Sequence, residues 1–180
     1  EVDPDDEPIG VERTVGVPVG RLAVSGRVDR IDLRRPGVSS SSGGVAAGGE
    51  LVVVDYKTGR RGVTDDQARG SQALALYVLG ARRTLRRPCQ RVELHHLPTG
   101  EIASFDHTEQ SLARHVARAE AIADDIGVAT DTLASGADVD EVFPPVPGPV
   151  CSWCDFRAHC PEGQASSEPI EPWAGLAPIN

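Results

Sequence analysis

Residues 51–54 read Leu-Val-Val-Val and run directly into Asp55-Tyr56-Lys57. An uninterrupted apolar run of this kind suits a strand covered on both faces, since a half-exposed strand alternates apolar with polar. Such a strand belongs at the centre of a sheet, with a layer packed on each side. The run then ends in two opposite charges. Side chains alternate along a strand, so Asp55 and Lys57 leave one face and Tyr56 the other. The plain alternative is a solvated Asp–Lys pair at a strand end. The choice of lysine argues for more. The chain has 18 Lys plus Arg, and Lys57 is the only lysine among them. A coding bias towards arginine covers every position that needs bare positive charge. It does not cover one retained ammonium, a compact point charge whose pKa shifts on burial.

The segments around this strand alternate in type. "VERTVGVPVG" and "RLAVSGRVDRIDL" carry β-branched residues at alternate positions and meet at Gly20 and Arg21, as an antiparallel hairpin does. "RRPGVSSSSGGVAAGGE" is too rich in Gly and Ser for an element and reads as a flexible connection. From Asp65 to Arg87 the period changes to that of one helix. Thr64 or Asp65 caps it, and Ala73, Leu74, Leu76, Tyr77, Leu79 and Gly80 mark its buried stripe. "RVELHHLPTGEIASFD" is a hairpin turning at Pro-Thr-Gly. His95 and His96 alternate faces within it, and both read as structural. Residues 108–136 form a long helix with Leu112, Val116, Ala119, Ile122, Ala123 and Ile126 on one face. The order strand, strand, strand, helix, strand, strand, helix predicts an α/β fold with a mixed sheet. By composition the chain divides into an acidic lead-in (1–10), a core (11–135), a Pro-rich linker (136–150), a cysteine segment (151–163) and a tail (164–180).

Charge is unevenly spread. The whole chain carries −9, yet residues 57–91 hold nine basic and two acidic residues, a local +7. Local sign decides where a phosphate backbone can lie; the competing reading is a solvated arginine face. Arg60 and Arg61 directly follow the charged strand end and suit contact with DNA phosphates. No apolar run is long enough to span a membrane and no signal peptide is visible, which points to a cytoplasmic protein. The chain has no methionine, and it reads as a piece of a longer or processed protein. Three of its four cysteines, Cys151, Cys154 and Cys160, fall within ten residues. Without a secretory signal that spacing favours a metal or cluster over disulfides. Zinc would need a fourth ligand such as His159 or Cys89, and a zinc-ribbon interaction domain is a third, weaker reading. No Walker-type phosphate loop is present.

Asp29 ends the strand before the apolar one, in "GRVDRID". If those two strands pair, Asp29 and Asp55 meet at one sheet edge. Two carboxylates and the Tyr56 carbonyl suit a hard divalent cation, Mg²⁺ or Mn²⁺, and Lys57 would stand beside it. "GRVDRID", "LVVVDYKTG" and a helix containing "QALALY" together resemble the PD-(D/E)XK nuclease superfamily, and most closely its RecB-like exonuclease branch. The resemblance covers roughly residues 11–105. It implies a restriction-endonuclease-like mixed central β-sheet flanked by helices, with a C-terminal cysteine-bearing extension. It implies Asp29, Asp55 and Tyr56 as metal ligands, Lys57 as the catalytic lysine, and Gln72 as the helix residue facing the site and the DNA. Gln72 and Tyr77 are five apart, where the family commonly shows four. The family's helix before the first strand is missing here, and Glu12 is a solvated strand residue rather than its substitute. A subset of RecB-like nucleases carries a [4Fe–4S] cluster, and Cys151, Cys154 and Cys160 resemble three of its ligands. The fourth would lie upstream, leaving Cys89 as a structural cysteine. The function implied is a metal-dependent DNA nuclease of repair or recombination. Its alternative is an inactive nuclease-fold module that binds DNA or a helicase partner.

Overall fold

The computed structural model describes residues 7–20, 22–34 and 49–170. The Gly/Ser-rich connection lies outside them, apart from its first residue and its last two, as do the first six residues and the end of the tail. The chain divides into two compact units, Glu1–Asp124 and Asp125–Asn180.

The first unit is a five-stranded sheet in the order β1-β2-β3-β4-β5. β1 (Glu7–Val19) and β2 (Leu22–Arg34) form the expected hairpin, turning where Gly20 takes a φ of 54°, open to glycine at little cost. β3 (Glu50–Lys57) is the middle strand, antiparallel to β2 and parallel to β4 (Cys89–His96). β4 turns back through residues 97–100 into β5 (Glu101–Asp106). The sheet is therefore mixed, as the order of elements predicts, and Leu51 to Val54 are all fully or almost fully buried at its centre. Burying each such side chain is worth about 1.5–3 kcal/mol.

One helix was expected over 65–87; two are present. α1 (Asp65–Gly70) carries a capping box, in which Thr64 and Gln67 bond to each other's backbone N–H. The chain then breaks at Ser71, which is extended and caps α2 (Gln72–Leu85) through its side chain on Leu74 N–H. A serine hydroxyl competes with helix continuation and favours a cap, so "RGSQ" starts a second helix. The break also turns the buried stripe. Leu74, Ala75, Val78, Gly80 and Ala81 are buried, while Ala73 is exposed and Leu76, Tyr77 and Leu79 are intermediate. This face packs with Ile31, Leu51, Val53, Val92 and Leu94 in the core.

α3 (Glu109–Ala134) buries only Ser111 and Leu112. Ile122 and Ile126, expected on a covered face, are 46% and 59% exposed. Helical period locates an apolar stripe but not what covers it. The second unit holds the end of α3, a short α4 (Val139–Val142), two 3₁₀ turns at Pro149–Trp153 and Arg157–His159, and α5 (Pro161–Ser166).

Candidate active site

β2 and β3 pair from Arg34↔Glu50 to Arg30↔Val54. Continuing this register by one residue places Asp29 opposite Asp55, where β3 parts from β2 and β2 continues with β1. Asp29 thus sits inside β2 rather than at its end; the hairpin strands are longer than their apolar alternation suggests. At the parting point a side chain takes over from the backbone ladder. The Tyr56 N–H donates to Asp29 Oδ2 at 2.9 Å, which holds that carboxylate against the end of β3. Lys57 Nζ lies 2.6 Å from Asp55 Oδ2. That oxygen is buried and has no aligned hydrogen-bond donor, so its contact with the ammonium is a charge contact rather than a directed bond. A buried carboxylate oxygen left in this state is costly unless a further positive group completes it.

Asp55 and Lys57 open into a cleft of about 620 Å³. Arg60 and Arg61, from the loop after β3, line the same cleft, and α1 and α2 close it with Gln67, Ser71 and Tyr77. Neither arginine forms an ion pair among the described residues. The cleft thus presents one ammonium and two unneutralised guanidinium groups around a carboxylate. That is an arrangement for an anion and a cation together, as a phosphodiester with a divalent metal would be. The profile of the PD-(D/E)XK nuclease superfamily matches residues 1–161. The chain belongs to the PD-(D/E)XK nuclease superfamily. No curated protein matches significantly.

Members of this superfamily are generally nucleases that use Mg²⁺ or Mn²⁺, and the two carboxylates fit that role. Their oxygens are hard donors, and Asp55 has one without a directed partner. Among the described residues, no group of three or more His, Cys, Asp or Glu side chains is arranged to hold a metal ion. The carboxylate donor set among the described residues is therefore a sparse one. Glu12 is occupied elsewhere, in an exposed 2.5 Å ion pair with Arg27.

Gln72 does not line this cleft. Its amide is held at both ends by His115 of α3: Nε2 donates to the His115 carbonyl at 2.6 Å, and Oε1 meets His115 Nδ1 at 2.9 Å. It faces instead a neighbouring groove of about 360 Å³ bounded by β1 and β2. Tyr77 borders both spaces. Gln67 and Tyr77 are cleft residues that the sequence reading did not select as functional. For Tyr77 the available signal is its place in "QALALY"; for Gln67 the spacing from Thr64 signals only the helix cap its side chain makes.

The other face of the sheet carries charge as well. Glu93 is buried and receives Arg34 at 2.6 and 2.9 Å, Arg91 at 2.7 Å and His95 at 3.0 Å. Burial alone would push its carboxyl up, but these three partners outweigh burial and hold it well below the usual carboxylate range.

The cysteines of the second unit are free thiols. Cys160 Sγ accepts the Gly163 N–H at 3.3 Å and Cys151 Sγ the Gly148 N–H at 3.4 Å. They form no metal-holding group among the described residues, so the expected [4Fe–4S] cluster gains no support. Cys89 lies in the core of the first unit, where burial pushes its thiol up to about 12, against the pull of Arg82. A metal-ligating cysteine needs the opposite shift.

Proposed function

We propose that this chain is a divalent-metal-dependent deoxyribonuclease of the RecB-like type, acting on DNA in repair or recombination and exonucleolytic rather than endonucleolytic. The observation that carries the proposal is that Asp55 and Lys57 line a cleft whose other charged groups are unpaired arginines, with Asp29 held on the Tyr56 N–H next to Asp55 in β3. A divalent cation would be held by Asp29, Asp55 and the Tyr56 carbonyl and would supply charge neutralisation at the phosphate. Asp29 is kept in place by the Tyr56 N–H, so its carboxylate needs no reorientation when substrate arrives. Lys57, half exposed beside Asp55, places its ammonium where negative charge grows as water attacks phosphorus and the bond to the leaving oxygen breaks. Arg60 and Arg61 hold flanking phosphates.

The test is cleavage of labelled single- and double-stranded DNA with Mg²⁺ or Mn²⁺, at the ends or internally. Lys57→Ala should lower kcat by about 10²–10³, the usual cost of losing one such electrostatic group, while the domain stays folded. Lys57→Arg should fail to restore the rate, because a planar fork does not fit the place of a compact ammonium. A Lys57→Ala protein that cuts at the normal rate rejects the mechanism. A second reading, a non-cutting module that binds DNA beside a helicase or recombination partner, rests on the sparse donor set. DNA binding without cleavage in either metal selects it.

A further inference from the structure

His96 is the last residue of β4 and the parallel partner of Lys57. It is 1% exposed and on the same sheet face as Asp55 and Lys57. Both ring nitrogens are engaged. Nε2 lies 2.7 Å from the Gly59 carbonyl oxygen, and Nδ1 lies 2.7 Å from Thr99 Oγ1. A carbonyl only accepts, so Nε2 carries the proton. In the neutral ring Nδ1 then accepts from the Thr99 hydroxyl, whose oxygen in turn receives the Glu101 N–H at 3.4 Å. The chain of bonds runs from the β4–β5 turn through one buried ring to the loop after β3.

That loop carries Arg60 and Arg61, and its far end is anchored by Val63, which packs against the core, while residues 58–62 between are exposed. Leu97 N–H bonds the Lys57 carbonyl at 2.9 Å and Thr64 begins the α1 cap, but no backbone–backbone bond involves residues 58–63 among the described residues. Gly59 is exposed, and a side chain there would meet nothing within 4 Å. Such a segment is free to move unless a side chain ties it down. His96 is that tie.

We propose that His96 is a positioning residue for substrate binding. By holding the Gly59 carbonyl it sets the course of residues 58–62, and so keeps Arg60 and Arg61 turned into the cleft against the phosphates of the bound strand. This rests on the nuclease reading for the identity of the ligand. The role differs from that of Lys57: it acts on binding, through the backbone, and touches no reacting atom.

The experiment compares wild type, His96→Ala, His96→Gln and an Arg60→Ala/Arg61→Ala double variant of the full chain. Mg²⁺-dependent cleavage is read as kcat and KM separately, and binding of a fluorescent oligonucleotide in EDTA is read by anisotropy over a range of salt. His96→Ala should raise KM and Kd about tenfold and flatten the log–log salt slope by roughly 1 to 2, as expected for two lost phosphate contacts, with kcat within about threefold. His96→Gln, whose amide can still donate to Gly59, should recover most of the loss. Adding His96→Ala to the double variant should change little, since the two act on one interaction. A His96→Ala protein that is less heat-stable but keeps KM, Kd and salt slope overturns the proposal, and so do effects that multiply with those of the arginines. If His96→Ala does not fold, Thr99→Val removes the hydroxyl behind the ring and should move Kd and slope in the same direction; no change overturns it. A wild type that binds but does not cut leaves the clamp readable by anisotropy while rejecting the nuclease reading. A wild type that neither binds nor cuts rejects both.

Discussion

On the proposed mechanism, Lys57 owes its place to size and hydration rather than charge. Its ammonium sits 2.6 Å from a buried carboxylate oxygen while half of the side chain remains exposed. In two buried histidines the hydrogen-bond partners fix which ring nitrogen donates. His96 carries its proton on Nε2 because the Gly59 carbonyl can only accept. In His107 the assignment reverses. Ser111 Oγ donates to the Thr108 carbonyl at 2.9 Å, so the Ser111 oxygen accepts from His107 Nδ1 at 3.0 Å. Nε2 of His107 is left buried without a partner. Burial, then the nearby His115 and Arg82, push His107 down from 6.5 to about 4, with Asp106 opposing. The unfolded chain therefore takes up a proton that the folded chain refuses between about pH 6.5 and 4. Stability contributed by this site is complete above that window and is lost progressively as pH falls through it. Chemical denaturation followed across the window should show it, and His107→Leu should flatten the profile there. Glu93, also held low by its partners, adds to acid loss at lower pH.

Among the elements, α2 is set by small residues. Gly26 belongs to the "GRVD" run of β2, and a Cβ there would lie 2.4 Å from Tyr77 Cε1. The aromatic ring of α2 rests on the bare backbone of β2, three residues before Asp29. The glycine of that motif is thus explained by contact, not by a turn. Gly26→Ala should displace Tyr77, destabilise the domain by about 1–3 kcal/mol, as overpacking does, and reshape both grooves that Tyr77 borders. Urea denaturation and the KM for DNA measure the two effects; an unchanged midpoint with unchanged KM would show that α2 is not held by this contact. The break between α1 and α2 has a similarly local cause in Ser71. What α3 leaves uncovered has none in the sequence of α3 itself.

At the scale of the whole molecule, net charge and binding charge separate. The chain carries −9 and the 57–91 window +7, yet the window is far from a free polycation. Arg69 pairs with Asp66, Arg82 with Glu109, and Arg91 with Glu93 and Asp106. Arg82 also donates to the Cys89 carbonyl. Binding should therefore depend on few phosphate contacts: the log–log salt slope for a single-stranded oligonucleotide should be about −2 to −3, from Lys57, Arg60 and Arg61. A slope near −6 would mean that further arginines of the window, such as the exposed Arg83 and Arg86 at the end of α2, also reach DNA, and a slope near zero that the cleft does not hold phosphates. Among the described residues no helix is long and apolar enough to cross a membrane.

Read alone, the amino-acid sequence determined that residues 51–57 form a central strand and that Asp55 and Lys57 share a face, because both follow from the two-residue period of one segment. It also determined the hairpins and the mixed sheet, through alternation, turns and order of elements. Only the tertiary structure decided that Asp29 stands opposite Asp55, that Gln72 is taken up by His115, and that His96 reaches round to Gly59. Each of these joins residues 26 to 43 positions apart. Such pairs are set by strand register and by the rotation of a packed helix, and one residue of slip or a fraction of a turn changes the partner. Local periodicity holds no information about either.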